Sequence, residues 1–204
     1  MTAMVAIAPN RPDWGDYYMR LAYLAATRAT CPRKHVGAIL AAPSHRIEAT
    51  GYNGAPAGAA QCDEVGCQMI EGHCVRTLHA ESNCLDFAGR YAAGCDLYVT
   101  VTPCWDCAKR IVNAGIIKVT YDEHYESRYG KSADVPTFLQ DHRIKVVRFE
   151  EGRMRRFKEL LQLLDKPVDI ATPVHGVPII TPASCAVHRF SDNRCVVCGL
   201  VDTP

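Results

Sequence analysis

Two short fragments carry residue types that can do chemistry together: His79-Ala80-Glu81 and Pro103-Cys104-Trp105-Asp106-Cys107. Cysteine sulfur and histidine nitrogen are zinc donors, and three protein donors leave a fourth tetrahedral position for water, as catalytic rather than structural sites do. Cys104 and Cys107 lie three apart, so on the first turn of a helix both sulfurs face the same way. A helix N-terminus also favours the thiolate, the form that binds metal. Bound zinc can bring the pKa of water toward ~7, supplying hydroxide near neutrality. Glu81 need not bind the metal. It is placed to take the proton of that water and pass it on. The fragments therefore predict a metal-assisted hydrolysis in which His79, Cys104 and Cys107 hold zinc and Glu81 moves protons.

Such a site needs two helices that begin close together. The sequence offers them in an alternating pattern. A helix is predicted from Trp14, capped by Asp13 and fading near Cys31-Pro32. Residues 35–42 and 46–53 read as two antiparallel strands. Residues 54–78, rich in Gly, Ala and Cys, lack either period and read as a long ordered loop. A helix over 79–89, a strand over 95–102 and a helix from Cys104 to Asn113 follow. A strand over 116–122, a helix over 134–142 and a strand over 143–149 complete the alternation, which indicates βαβ units. Residues 152–164 form an amphipathic helix, expected to dock on the sheet or on another subunit. The Pro-rich stretch 166–184 reads as a linker.

Composition narrows the classes. At 204 residues the chain fits one domain plus an appendage, with hydrophobic and charged fractions of 48% and 22% near the globular average. A formal charge of +1 gives no support to non-specific binding of duplex nucleic acid. The N-terminal run is a poor signal peptide, and no stretch approaches the ~20 apolar residues of a membrane span. A soluble cytoplasmic protein is expected. Eleven cysteines then point to metal rather than disulfides. They group as Cys31, Cys62, Cys67 and Cys74 near His73, as Cys104 with Cys107, and as Cys185, Cys195 and Cys198 with His188. Cys84 and Cys95 are left as buried thiols. The last group, two knuckle-like pairs after the linker, predicts a small Cys3His zinc module at 185–204 formed by Cys185, His188, Cys195 and Cys198.

The His-x-Glu and Pro-Cys-x-x-Cys pairing matches the general signature of zinc deaminases acting on nucleobases. Together with CPRKHVGAIL, ATGYNGAPAG, the CDEVGC…HC insert and VTPCWDCAKRIVNAGI, it resembles the deoxycytidylate (dCMP) deaminase family, in its late-competence and phage-like branch. The resemblance covers roughly residues 14–150. It implies an α/β, three-layer αβα cytidine-deaminase-like fold with a five-stranded mixed sheet in a catalytic domain over 1–165. It also implies hydrolysis of dCMP to dUMP and ammonia in pyrimidine deoxynucleotide metabolism. Roles carried over are a sugar contact for Asn53 and base contacts for the backbone of Ala80 and the carbonyl of Thr102. The insert resembles one that binds a second, structural zinc, for which Cys31, Cys62, His73 and Cys74 are the expected set. A homohexamer is implied, as are dCTP and dTTP effectors, with Mg2+ accompanying the effector and Gly51 to Gly54 near its phosphates. The substrate phosphate is expected to meet the group Tyr125, Arg128, Tyr129 and Lys131 after the fourth strand, or Arg33 and Lys34 before the first. The C-terminal cluster departs from the family pattern. Competing readings are a deaminase of dCTP or of a 5-substituted dCMP, and a nucleic-acid-associated adaptor built on zinc modules, against which intact Glu81 argues.

Overall fold

The computed structural model describes residues 11–125, 134–164, 190–191 and 194–195. Helix α1 (Trp14–Ala26) begins where Asp13, in extended backbone, accepts a hydrogen bond from the Asp16 N–H at 2.8 Å, satisfying a first-turn donor as expected. Strands β1 (Gly37–Ala41) and β2 (Ile47–Tyr52) pair antiparallel. Strand β5 (Asp96–Val101) joins the other edge of β1 antiparallel, and β6 (Lys118–Glu123) and β7 (Lys145–Arg148) add in parallel. The result is a five-stranded mixed sheet in the order β2-β1-β5-β6-β7. Parallel neighbours need a crossover between them. Helices α4 (Trp105–Asn113) and α5 (Asp134–Asp141) supply it.

Side chains alternate across the strands and so build two cores. Ile39, Ala41 and Tyr98 pack with Tyr18, Met19 and Ala22 of α1. Ala38, Leu40, Leu97, Val99 and Val119 face the other way, onto α4, α5 and helix α3 (Ala80–Ala88). The expected αβα layering follows from this parity. Helix α6 (Arg155–Leu164) comes after Met154, which is buried in the α1-side core, while Leu160 and Leu163 stay exposed.

Residues 54–78, expected as a loop, contain α2 (Cys62–Val65) and a minimal hairpin of β3 (Met69–Ile70) and β4 (His73–Cys74). A Gly54–Leu78 bridge closes the segment at its neck. Elements of two to four residues are too short to show a period. A second unit, Leu164–Pro204, contains the antiparallel pair β8 (Phe190–Ser191) and β9 (Arg194–Cys195). The linker expected over 166–184 lies outside the described residues.

Two strand glycines set how closely the helices approach. A Cβ on Gly37 would sit 1.9 Å from the Ala22 carbonyl oxygen of α1, and one on Gly51 only 2.3 Å from the Ala80 oxygen of α3. The obstacle at both positions is helix backbone, which cannot step aside as a flexible side chain can. Gly51→Ala should therefore lift the N-terminus of α3 and cost about 1–3 kcal/mol. The urea unfolding midpoint is the measurement, and an unchanged midpoint would show that the close approach does not constrain the fold.

Candidate active site

His79 is the N-cap residue of α3 and Cys104 the N-cap residue of α4, both in extended backbone, and Cys107 completes the first turn of α4. N-cap and third helical positions face one another in helices, as capping boxes show. Cys104 and Cys107 use that geometry for sulfur. The Sγ atoms of Cys104 and Cys107 lie 3.3 and 3.4 Å from His79 Nδ1. Bond lengths of 2.0–2.3 Å in a tetrahedron give donor–donor edges of roughly 3.5 Å, so this donor set fits zinc. It also fits chemically, since both helices direct the positive ends of their dipoles at the sulfurs. The hydrogen bond from Cys107 and the proximity of His79 hold the Cys104 thiol far below its ordinary value. The same pairing, with burial, pushes Cys107 well above it.

Glu81, in the first turn of α3, is 3% exposed. Burial pushes its carboxyl above the usual range, against the pull of His79. A raised carboxyl pKa is the condition for carrying a proton near neutrality. Glu81 and the donors His79 and Cys104 line a cavity of about 180 Å³ together with Asn53, Ala80 and Thr102, so all three positions expected to meet the nucleoside are present. Ala80, the first helical residue of α3, carries one of the N–H groups that helix geometry leaves without an intrahelical partner.

Asn53 is more committed than expected. Its Oδ1 accepts the Val36 N–H at 2.7 Å and its Nδ2 donates to the Lys34 carbonyl at 2.9 Å. It therefore pins the 34–36 segment and keeps one N–H for a ligand. Arg33 and Lys34 line the cavity, whereas Arg128, Tyr129 and Lys131, the other group expected at the phosphate, lie outside the described residues. Tyr125, expected with that group near the mouth of the site, does line the cavity, whereas sequence reasoning missed Thr77, which belongs to no spaced motif.

The second cysteine cluster is revised. Cys31, Cys62, Cys67 and Cys74 place their sulfurs within 4.8 Å of one another. The separations are 3.7 Å for Cys31–Cys67 and 3.5 Å for Cys62–Cys74. These are far beyond a disulfide bond of ~2.05 Å and near the roughly 3.7 Å edge of a thiolate tetrahedron around zinc. The expected set had His73 in place of Cys67. His73 and Cys74 are neighbours on β4, and neighbouring strand side chains point to opposite faces. Cys74 joins the cluster, and His73 lines the active-site cavity, in whose wall Cys74 also lies. Of the C-terminal set, Cys185, His188 and Cys198 lie outside the described residues, and Cys195 is placed only as a backbone position on β9 opposite Phe190.

A sheet of this order, with metal donors at the N-termini of the helices before and after β5, is the architecture of cytidine-deaminase-like zinc hydrolases. The family model described as "Cytidine and deoxycytidylate deaminase zinc-binding region" matches residues 12–123, and the chain belongs to that family. ComE operon protein 2 of Bacillus subtilis (strain 168) is 42% identical over 121 residues, which are 58% of this chain and 64% of that protein. The deoxycytidylate deaminase of Mycobacterium phage D29 is 39% identical over 125 residues, 55% of this chain and 96% of the phage protein. The dCMP deaminase of cyanophage S-TIM5, solved in complex with dCMP and dUMP, aligns with TM-score 0.58 and 33% identity, covering 68% of this chain and 98% of its own. The chain thus spans less than two thirds of the Bacillus relative and nearly all of the two phage proteins.

Exchange of His73 for Cys67 in the second cluster is directly measurable. Cys67→Ala should lower the zinc content of purified protein by one equivalent per chain, and His73→Ala should leave it unchanged. Loss of zinc in the His73 variant with retention in the Cys67 variant would restore the histidine as ligand.

Proposed function

We propose that this protein hydrolyses the 4-amino group of dCMP to give dUMP and ammonia. The observation that carries this reading is the cavity itself. Its lining combines His79 and Cys104 of the donor set and the buried Glu81 with the basic side chains Arg33 and Lys34 and the polar His73. A base that must reach a hydrolytic centre while its phosphate stays near solvent needs that polarity. Zinc held by His79, Cys104 and Cys107 supplies a Lewis acid that makes water nucleophilic near neutrality.

The chain's own residues do the rest. Glu81 accepts one proton of the attacking water and passes it to the ring nitrogen. It then takes the second from the new hydroxyl on the attacked carbon and delivers it to the departing amine, which leaves as ammonia as the carbonyl forms. The Ala80 N–H and the Thr102 carbonyl meet the polar edge of the base, and the remaining Asn53 N–H meets the sugar hydroxyl. Arg33, Lys34 and His73 meet the phosphate, with Arg128, Tyr129 and Lys131 as the alternative group. The solved cyanophage relative, in complex with dCMP and dUMP, supports the choice of a monophosphate.

A structural zinc on Cys31, Cys62, Cys67 and Cys74 belongs to the same proposal, supported by the sulfur spacing. So does a third zinc on Cys185, His188, Cys195 and Cys198, supported by residue spacing in the sequence. The family resemblance further supports a cytoplasmic homohexamer with dCTP and dTTP as effectors, accompanied by Mg2+. Among the described residues no helix is long and apolar enough to cross a membrane.

Ammonia release from deoxycytidine, dCMP, dCTP and 5-substituted dCMP is the deciding experiment. The value of kcat/KM should be highest for dCMP, and preferential turnover of free deoxycytidine would overturn the nucleotide reading. Glu81→Gln should keep zinc and fold while losing activity by at least about 10²–10⁴-fold, because an amide cannot relay protons. Substantial turnover by the zinc-loaded Gln variant would remove Glu81 from the proton path.

A further inference from the structure

The carboxyl end of β6 carries two adjacent acids, Asp122 and Glu123, the second of which reaches the cavity through its ion pair with a lining lysine. Glu123 reaches Lys34, a cavity residue, at 3.3 Å. Its backbone carbonyl accepts hydrogen bonds from the N–H of Thr102 at 2.9 Å and from its Oγ1 at 3.2 Å. Asp122 lies beside it, 8% exposed, and accepts the Tyr23 hydroxyl of α1 at 2.5 Å. Two carboxylates in this place oppose an anionic substrate. Lys34 alone offsets only one of them, and a lysine neutralised by its own ion pair is a weaker phosphate partner.

The second cation comes from α6. Lys158 Nζ lies 2.7 Å from Glu123 Oε1 and 3.0 Å from Asp122 Oδ2, and 4.6 Å from the centre of the Tyr23 ring. Burial works to lower the Lys158 ammonium, but its bonds to Glu123 and Asp122 prevail and hold it above the ordinary lysine value. Burial likewise works to raise Glu123, and Lys158 and then Lys34 outweigh it. Glu123 thus shares its two oxygens between cations, Oε1 with Lys158 and Oε2 with Lys34. Helix α6 lies beyond residue 123, where the match to the family model ends. The lysine that completes this charge balance is therefore supplied from outside the stretch that the family model matches.

We infer that Lys158 is a positioning residue for phosphate recognition: by occupying Asp122 and Glu123 from behind, it leaves the Lys34 ammonium available to an anionic substrate at the cavity. The inference rests on the monophosphate reading. Lys158 does not touch the substrate. Its effect is electrostatic and acts through Glu123 and Lys34.

The test compares substrates with and without a phosphate in the full-length zinc-loaded protein. Lys158→Met should raise KM for dCMP on the order of tenfold, the scale of one uncompensated charge near a binding anion. Its kcat for dCMP and its kcat/KM for deoxycytidine should stay within about twofold of the parent. Lys158→Arg should retain the parent KM. Adding Glu123→Gln to Lys158→Met should bring KM back toward the parent value, because the charge balance is restored without the lysine. A purely structural role would depress both substrates together and would not be rescued by removing Glu123, and either result overturns the inference. So does an unchanged KM in Lys158→Met. If that variant does not fold, Lys158→Gln keeps a donor while removing the charge and carries the same comparison. Failure of the monophosphate reading looks different, since the parent itself would then show no preference for dCMP over deoxycytidine.

Discussion

The site depends on two helices starting at the same place. His79 and Cys104 are N-cap residues of α3 and α4, and their donor atoms come within hydrogen-bonding distance only because both helices pack tightly on the same face of the sheet. Gly51 allows the first of these approaches, since any side chain there would meet the Ala80 carbonyl. Asn83 of α3 adds a hydrogen bond to the Tyr52 carbonyl at 2.8 Å, tying the helix to the strand it lies on. Convergent helix N-termini then do two things at once. They orient the donors, and they place two positive dipole ends where thiolates and a developing negative charge need them. Burial of Glu81 follows from the same packing, because its helix turn is pressed between the sheet and the donor set.

The cysteine insert makes a second contribution that is separate from any metal it holds. Cys31 and Cys74 lie in the wall of the catalytic cavity as well as in the four-sulfur cluster. A segment with elements of only two to four residues has little core of its own, so a metal there would supply the rigidity that apolar packing cannot. The cavity wall is then as stiff as that cluster. His73, next to Cys74 on β4, lines the same cavity.

Charge at the cavity is arranged in layers. Arg33 and Lys34 line it, Lys34 pairs with Glu123, and Lys158 pairs with both Glu123 and Asp122. Helix α1 through Tyr23 and helix α6 through Lys158 meet the acids of β6 here, and α1 lies on the face of the sheet opposite α3 and α4. A polar network this well partnered resists rearrangement more than an isolated surface pair does. It links the C-terminal helix of the unit to a residue in the cavity without any direct contact between them.

The catalytic donor set was legible in the sequence because its residues are local. His79 with Glu81, and Cys104 with Cys107, are each spaced within one helical turn, and helix geometry then dictates which atoms share a side. The strands around them were legible for a similar reason, since a short apolar run bounded by turn residues is itself a short-range signal. The cysteine insert was legible only as a collection of candidate ligands. Choosing Cys67 over His73 required knowing that residues 73–74 form a strand, where a shift of one residue reverses the side chain. The partners of Lys158, Asp122 and Glu123 more than thirty positions earlier, left no mark in the sequence. Tertiary packing alone decided that α6 returns across the sheet to those acids, because an ion pair between distant segments depends on where the chain doubles back and on nothing periodic in either segment.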